Sequence, residues 1–255
     1  SLAVALVQAL ACMGGAPLEA RVLAESACDI EINRLGWPIG KQDQYIAVFG
    51  GIRHLAFHAD DRVTPRLVRM APRHRERLER SLLLFNTGRT RHSRDILRHQ
   101  VGRMGDTGML HRSLRDRVAA VAADLERGAV AEVGRHLHWS WMIKRRLAAD
   151  ISNSKLDEIY QRALENGAAG GKISGAGGGG YFLLYADPDT QPGLRHALSD
   201  LDELDFNFSD AGVQVVYPFA GQDSGSTVKI VRDCSGGYNR VMISAAVRPE
   251  SGNGR

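Results

Sequence analysis

Between Gly171 and Tyr185 the chain reads Gly-Lys-Ile-Ser-Gly-Ala-Gly-Gly-Gly-Gly-Tyr-Phe-Leu-Leu-Tyr. Glycine at this density costs backbone entropy and is kept where the backbone must bend sharply or touch something. The spacing Gly175-x-Gly177-x-x-Gly180 formally matches a dinucleotide-binding fingerprint, but that motif follows a strand and opens a helix. Here a helical pattern ends near Gly167 and an aromatic, apolar strand pattern begins at Tyr181, so the order is reversed. No Lys-Ser or Lys-Thr follows the last glycine, which removes the other common phosphate loop. Two readings stay open: a flexible turn, or a loop whose amides approach an anion or brace a second loop that does.

A second group of residues lies far upstream. Asp43 falls in the first turn of a short helical pattern after Gly40, where free amides and the helix dipole favour an ionised carboxylate. An ordinary capping aspartate looks the same. Glu31 sits on the preceding helical pattern and can return across the Gly36–Pro38 turn, although pairing with Arg34 explains it as well, and Asp29 is a rival carboxylate. Lys41 is a compact cation two residues from Asp43. Thr87, Thr90 and Arg91 occupy a turn after an apolar strand pattern, a composition shared by plain surface turns. Trp141 and Lys144 share a helix face, where a core tryptophan beside a lysine reaching for solvent is the common outcome. His136 and His138 lack the i, i+4 spacing of a helical metal site and are assigned no metal.

The elements that must position these groups read as a mixture. A helix is expected from Leu2, and a second from Pro17 to Leu35, ended by Gly36 and Pro38. A short helix near Lys41 stops at Gly50-Gly51. Ile52 to Phe57, Leu67 to Met70 and Leu82 to Phe85 read as strands, with Pro65 and Pro72 as punctuation. From Ser93 to Gly167 the pattern is mainly helical, with Ser152 or Asn153 capping the last helix. A strand over Tyr181–Tyr185, a helix from Pro192 and a strand from Val213 to Tyr217 complete an α+β order. Within Pro218–Arg255, only Lys229–Val231 and Arg240–Val247 suggest weak strands.

Composition narrows the classes. At 255 residues the chain can form one large or two smaller domains. No apolar run reaches the ~18 residues of a membrane helix, and no basic residue precedes Leu2–Met13 as in a signal peptide. Three scattered cysteines offer neither zinc spacing nor a disulfide framework, which suits a reducing cytoplasm. The net charge of +4 is mild, yet arginines crowd residues 62–98. Without interleaved aromatics they do not read as a nucleic-acid platform, and one or two of them could meet a substrate phosphate. The oligomeric state stays open.

Several motifs in one order carry a resemblance. Gly36-Trp37-Pro38-Ile39-Gly40-Lys41-Gln42-Asp43-Gln44-Tyr45 with Phe49-Gly50-Gly51, Leu84 to Arg91, His138-x-x-Trp141-x-x-Lys144-Arg145-Arg146-Leu147, Ile151-Ser152-Asn153, and Lys172-x-x-Gly175-Ala176-Gly177-Gly178-Gly179-Gly180 resemble the GHMP small-molecule kinases. The sugar-kinase branch acting on D-glycero-D-manno-heptose 7-phosphate is the most similar, over about residues 1–217. The resemblance implies an α+β, two-domain fold. Residues 1–91 would be the C-terminal part of a ribosomal-S5-like N-terminal domain that binds ATP, 92–217 a ferredoxin-like α+β C-terminal domain, and 218–255 a mobile Gly/Ser-rich tail.

It also implies ATP, Mg2+ and a sugar phosphate as partners, with no nucleic acid and no membrane. The γ-phosphoryl group would go to the anomeric hydroxyl, giving the 1,7-bisphosphate for surface polysaccharide. L-fucose or galactose kinase, and a non-catalytic sugar-phosphate-binding fragment, are the alternatives. Asp43 is then the catalytic acid-base group and Glu31 the magnesium ligand. Lys41, Thr87 and Arg91 bind substrate, and Lys172, Gly175, Ala176, Gly177, Gly178 and Gly179 serve the phosphates. Ser1 resembles the end of a Gly-Leu-Gly-Ser-Ser loop, so an N-terminally truncated kinase is expected. Gly177→Val is expected to damage activity more than stability.

Overall fold

A computed structural model of the chain describes the backbone of residues 1–88, 93–220, 226–232 and 238–245, with side chains described through residue 215 outside 89–93. In chain order the elements are α1 (Leu2–Met13), α2 (Ala20–Cys28), a π-helical turn (Asp29–Arg34), α3 (Gln42–Phe49), β1 (Arg53–Phe57), β2 (Val63–Leu67), α4 (Pro72–Ser81) and β3 (Leu82–Asn86). There follow α5 (Ser93–Gly102), α6 (Met104–Glu126), α7 (Glu132–Lys144), a 3-10 turn (Ala149–Ile151), α8 (Ser154–Glu165), β4 (Ala168–Ile173) and β5 (Tyr181–Ala186). Last come α9 (Gln191–Ala197), β6 (Asp202–Glu203), β7 (Val215–Ala220), β8 (Ser226–Arg232) and β9 (Tyr238–Ala245). Among the described residues no helix is long and apolar enough to cross a membrane.

Two compact units result. One holds Ser1–Gly36, Gly40–Gly51 and Ser209–Arg255; the other holds Trp37–Ile39 and Ile52–Phe208. In the first unit α1, α2 and α3 bury Val4, Leu23, Ala24, Ala27, Tyr45 and Val48. The buried Gln8 side chain bridges to Leu18, accepting from its N–H at 3.2 Å and donating to its carbonyl at 3.3 Å. The helix expected over Pro17–Leu35 is α2 plus the π-helical turn, in which one extra residue per turn widens the coil before Gly36. The chain returns beside α3 with Gly51 N–H donating to Ser209 O and Val213 N–H to Ala47 O, each at 2.8 Å. A Cβ on Gly212 would stand 1.8 Å from Val48 O, so only glycine permits that approach. From there β7, β8 and β9 form an antiparallel meander.

The second unit is built on an antiparallel sheet of order β4-β5-β3-β6. The register Leu83↔Leu184 and Phe85↔Phe182 puts four buried side chains on one face. There they join Trp141 of α7, and Leu156, Ile159 and Tyr160 of α8. Trp141 is fully buried, edge-on to Phe182 at 5.7 Å. Tyr185 belongs to the other cluster, with Leu78 of α4, Ala122 and Leu125 of α6, and Val130. Each such large apolar side chain contributes about 1.5–3 kcal/mol relative to exposure. Of the two candidate caps for α8, Asn153 serves: its side-chain oxygen accepts from Lys155 and Leu156 N–H, both at 3.1 Å.

Some elements differ from the sequence expectation, among them α4, β2 and β4. Pro72–Ser81 is helical, with Pro72 in the first turn, where its missing N–H is harmless. The strand expected at Leu67–Met70 instead spans Val63–Leu67; Pro65 fits because β1 and β2 form a sheet of two edge strands.

β4 carries Gly170 and Gly171, poor strand formers taken alone. Their role is proximity. A Cβ on Gly170 would lie 2.0 Å from Gly134 O of α7, and one on Gly134 would lie 2.7 Å from Ala169 Cβ. Helix and strand therefore touch backbone to backbone. The neighbouring α6–α7 packing is pinned by polar groups: Asp124 meets His136 at 2.6 Å in the interior, with Arg127 at 2.7 Å on its other oxygen. Arg117 donates to His136 Nδ1, so Nε2 carries the proton shared with Asp124.

Gly170→Val should lower the unfolding free energy measured by urea titration by at least ~3 kcal/mol, because backbone cannot yield as a side chain can. Gly175→Ala, where a Cβ meets open space but φ is +82°, should cost only about 1–2 kcal/mol. Equal losses in the two variants would contradict the close helix–strand contact.

Candidate active site

In the first unit, three of the singled-out residues, Lys41, Asp43 and Glu31, gather around the start of α3. Lys41 precedes the helix and Asp43 lies in its first turn, exposed to solvent. Gln44, buried on the next position, donates a very short hydrogen bond to the Glu31 carboxylate. Arg34, the alternative partner for Glu31, binds Asp29 instead at 2.7 Å, and Asn33 donates to Asp29 at 3.0 Å. These hydrogen bonds hold the Asp29 carboxyl below its ordinary range. The rival carboxylate is thus engaged, and Glu31 is the one turned toward α3. Burial pushes the Cys28 thiol up to about 11, opposed by Lys41 and assisted by Glu31, so all three side chains share one neighbourhood.

One or two carboxylates with substrate phosphates and water suffice for magnesium, and Glu31 offers such a donor. Among the described residues there is no cluster of three or more acidic, histidine or cysteine side chains of the kind that cages a metal by itself.

In the second unit the glycine loop spans the turn from β4 to β5, closed at its neck by Ser174 N–H donating to Tyr181 O at 2.8 Å. Gly175, Gly177, Gly178, Gly179 and Gly180 all have positive φ, conformations that L side chains resist. The loop is held by its carbonyls. Gln100 of α5 donates to Ala176 O at 3.3 Å, and Thr87 gives both its N–H and its hydroxyl to Gly180 O at 2.8 Å. Lys144, the last residue of α7, donates to Ile173 O at 3.4 Å and, by a very short contact, to Gly175 O.

A trans peptide puts its N–H opposite its C=O, so holding the carbonyls of Gly175 and Ala176 turns the amides of Ala176 and Gly177 the other way. Among the described residues the amides of Gly175, Ala176, Gly177, Gly179 and Gly180 donate to no protein acceptor, whereas Gly178 N–H binds Ile151 O at 2.9 Å. Successive unused amides in such a turn form an anion-binding concavity. Lys172 lies on the strand entering the loop. Burial lowers its pKa, and lowers that of Lys144 to about 7, with the Lys172 charge as a smaller cause.

Thr87 is buried and its hydroxyl ties β3 to the loop. Arg91 lies outside the described residues. Trp141 is a core residue, but Lys144 does not run out to solvent as expected; it turns onto the loop. Its signal was the shared face with Trp141, which named the helix side but not the target. Gly177 also differs from expectation: a Cβ there would stand 2.9 Å from Ile151 Cα, so Gly177→Val strains the fold as well as the loop.

Comparison with known proteins agrees with this architecture. Residues 121–203 match the model of the GHMP kinases C terminal. A D-glycero-alpha-D-manno-heptose 7-phosphate kinase of Campylobacter jejuni is 34% identical over 219 residues, covering 84% of this chain and 64% of that protein. An L-fucokinase/L-fucose-1-P guanylyltransferase of Bacteroides fragilis is 30% identical over 190 residues, 69% of this chain and 20% of that protein. The crystal structure of a D-glycero-D-manno-heptose 1-phosphate kinase from Bacteroides thetaiotaomicron superposes with a TM-score of 0.60 at 24% identity, over 82% of this chain and 59% of that one. The chain thus spans less than two thirds of the length of these relatives. Residues 121–203 thus carry a GHMP kinase C-terminal domain, and the likeness to sugar kinases continues through most of the chain's length.

Proposed function

We propose that this chain serves transfer of the γ-phosphoryl group of ATP to the anomeric hydroxyl of a sugar phosphate, D-glycero-D-manno-heptose 7-phosphate being the favoured substrate. The observation that carries the reading is the glycine loop, fastened by three carbonyls and presenting unused amides. Phosphoryl transfer asks for donor and acceptor held in line, neutralised phosphoryl oxygens and an acceptor for one proton. The anomeric oxygen bonds to the γ phosphorus as the bond to the β–γ bridging oxygen breaks, and ADP leaves.

Asp43 takes the hydroxyl proton. The amides of Gly175, Ala176, Gly177 and Gly179 with Lys172 hold phosphate oxygens; Gly178 steadies the loop through Ile151. Lys41, Thr87 and Arg91 are assigned to binding the substrate. Glu31 would hold Mg2+, which neutralises charge on the phosphates when bound. Such chemistry belongs in the ATP-rich cytoplasm and needs neither nucleic acid nor membrane. The fucokinase likeness keeps an unphosphorylated sugar as the second reading.

With Mg·ATP and a panel of sugar phosphates and free sugars, heptose 7-phosphate should give the highest kcat/KM; a clear preference for L-fucose would transfer the assignment to the second reading. Asp43→Asn should lower kcat by about 100-fold or more with the melting temperature nearly unchanged, because the side chain is exposed. Unaltered turnover in that variant would remove Asp43 from the reaction. Gly175→Ala, with room for its methyl, should raise the KM for ATP more than it lowers stability; the two are separated by steady-state kinetics and thermal melting.

A further inference from the structure

Lys144 and Lys172 meet at the glycine loop without an acid beside them. Cations just after α7 and on α8 are paired: Arg145 with Asp157 at 2.6 Å, Lys155 with Glu158 at 3.4 Å, Arg162 with Asp200 at 2.7 Å. For the two lysines no carboxylate partner exists among the described residues, and no acidic side chain offsets the effect of burial on either. Two neighbouring, half-buried ammonium groups without a counter-ion work against folding. Beside them the loop presents amides without acceptors. Ammonium groups and free amides together are the donors that recognise a phosphoryl group.

Lys144 also acts through the peptide it holds. Its ammonium group lies on the carbonyl side of the Gly175–Ala176 peptide, and polarising that carbonyl strengthens the opposite N–H as a donor. A purely structural role is the alternative: a lysine ending a helix complements the dipole, and here it also fastens a loop. That account makes removal of the charge loosen the fold and leaves anion binding indifferent to it.

We propose that Lys144 and Lys172, with the amides of the glycine loop, form one phosphoryl-anion site in which Lys144 sets the affinity and the bound anion supplies the missing counter-charge. The site deepens the kinase reading and rests on it for the origin of the anion, which is either the phosphate chain of ATP or the phosphate already on the sugar.

The test is thermal melting of the wild type, Lys144→Gln and Lys172→Gln, with inorganic phosphate titrated against sodium chloride at matched ionic strength. Glutamine at 144 keeps an N–H donor for the loop carbonyls while removing the charge. Phosphate should stabilise the wild type beyond chloride, and the dissociation constant read from the shift should rise about tenfold or more in each variant. Without phosphate, Lys144→Gln should be no less stable than the wild type. Parallel titrations with Mg·ATP and with heptose 7-phosphate identify the source, as the ligand whose constant moves with the substitution. Absence of a phosphate effect in the wild type, equal effects in all three proteins, or a destabilised Lys144→Gln that binds phosphate normally would each overturn the proposal. Because inorganic phosphate reads the site without turnover, a failed Asp43→Asn result sinks the kinase reading alone.

Discussion

The organisation of the second unit depends on one close approach, between the backbones of α7 and β4 at Gly134 and Gly170. No side chain fits there, so the depth at which the helix lies on the strand is set by peptide groups, which do not repack. From that fixed point the rest of α7 follows. Two turns on, Trp141 enters the core edge-on to the stacked rings of Tyr160 and Phe182. At the helix end, Lys144 reaches Ile173 and Gly175. One rigid element therefore serves as core wedge and loop anchor. A loop that is mostly glycine has little conformational preference of its own, and its shape comes from the carbonyl partners that α5, α7 and β3 bring to it.

The two groups of candidate residues sit in opposite surroundings. Around α3 the Asp43 side chain lies exposed to water in the first turn of the helix. Around the glycine loop the cations are half-buried and left without acids, so their charge is conditional on what comes near. An exposed carboxylate tolerates local change well. A desolvated cation pair does not, because every alteration of burial or of a neighbouring charge shifts its proton affinity.

Much of this was legible from residue patterns, and what was not has physical causes. The Asn153 cap, the apolar strand after the glycine run and the helical character of residues 93–167 follow from local rules that the tertiary structure respects. Helix α4 was hidden because Pro-Arg-His-Arg-Glu-Arg-Leu-Glu-Arg-Ser has a single apolar residue and hence no periodicity to read. β4 was hidden because Ala-Ala-Gly-Gly-Lys-Ile has weak strand preference; the strand exists to receive α7 and pair with β5. The glycine loop declared itself by composition, yet its fastening did not, since Gln100, Thr87 and Lys144 lie dozens of residues away from their acceptors. Glu31 and Gln44 illustrate the same limit, being neighbours only because the π-helical turn and Gly36 fold one helix back toward the next.

The placement of Trp141 has an optical consequence. Its indole N–H is buried without an acceptor, and its ring rests against the strand that leaves the glycine loop, whereas Trp37 and Trp139 are only partly covered. An indole in such apolar surroundings emits toward the blue, with water and collisional quenchers held off by the packing around it. The chain thus contains an intrinsic fluorophore one helical turn from the lysine that grips the loop, and rearrangements there are open to observation by light without any attached dye.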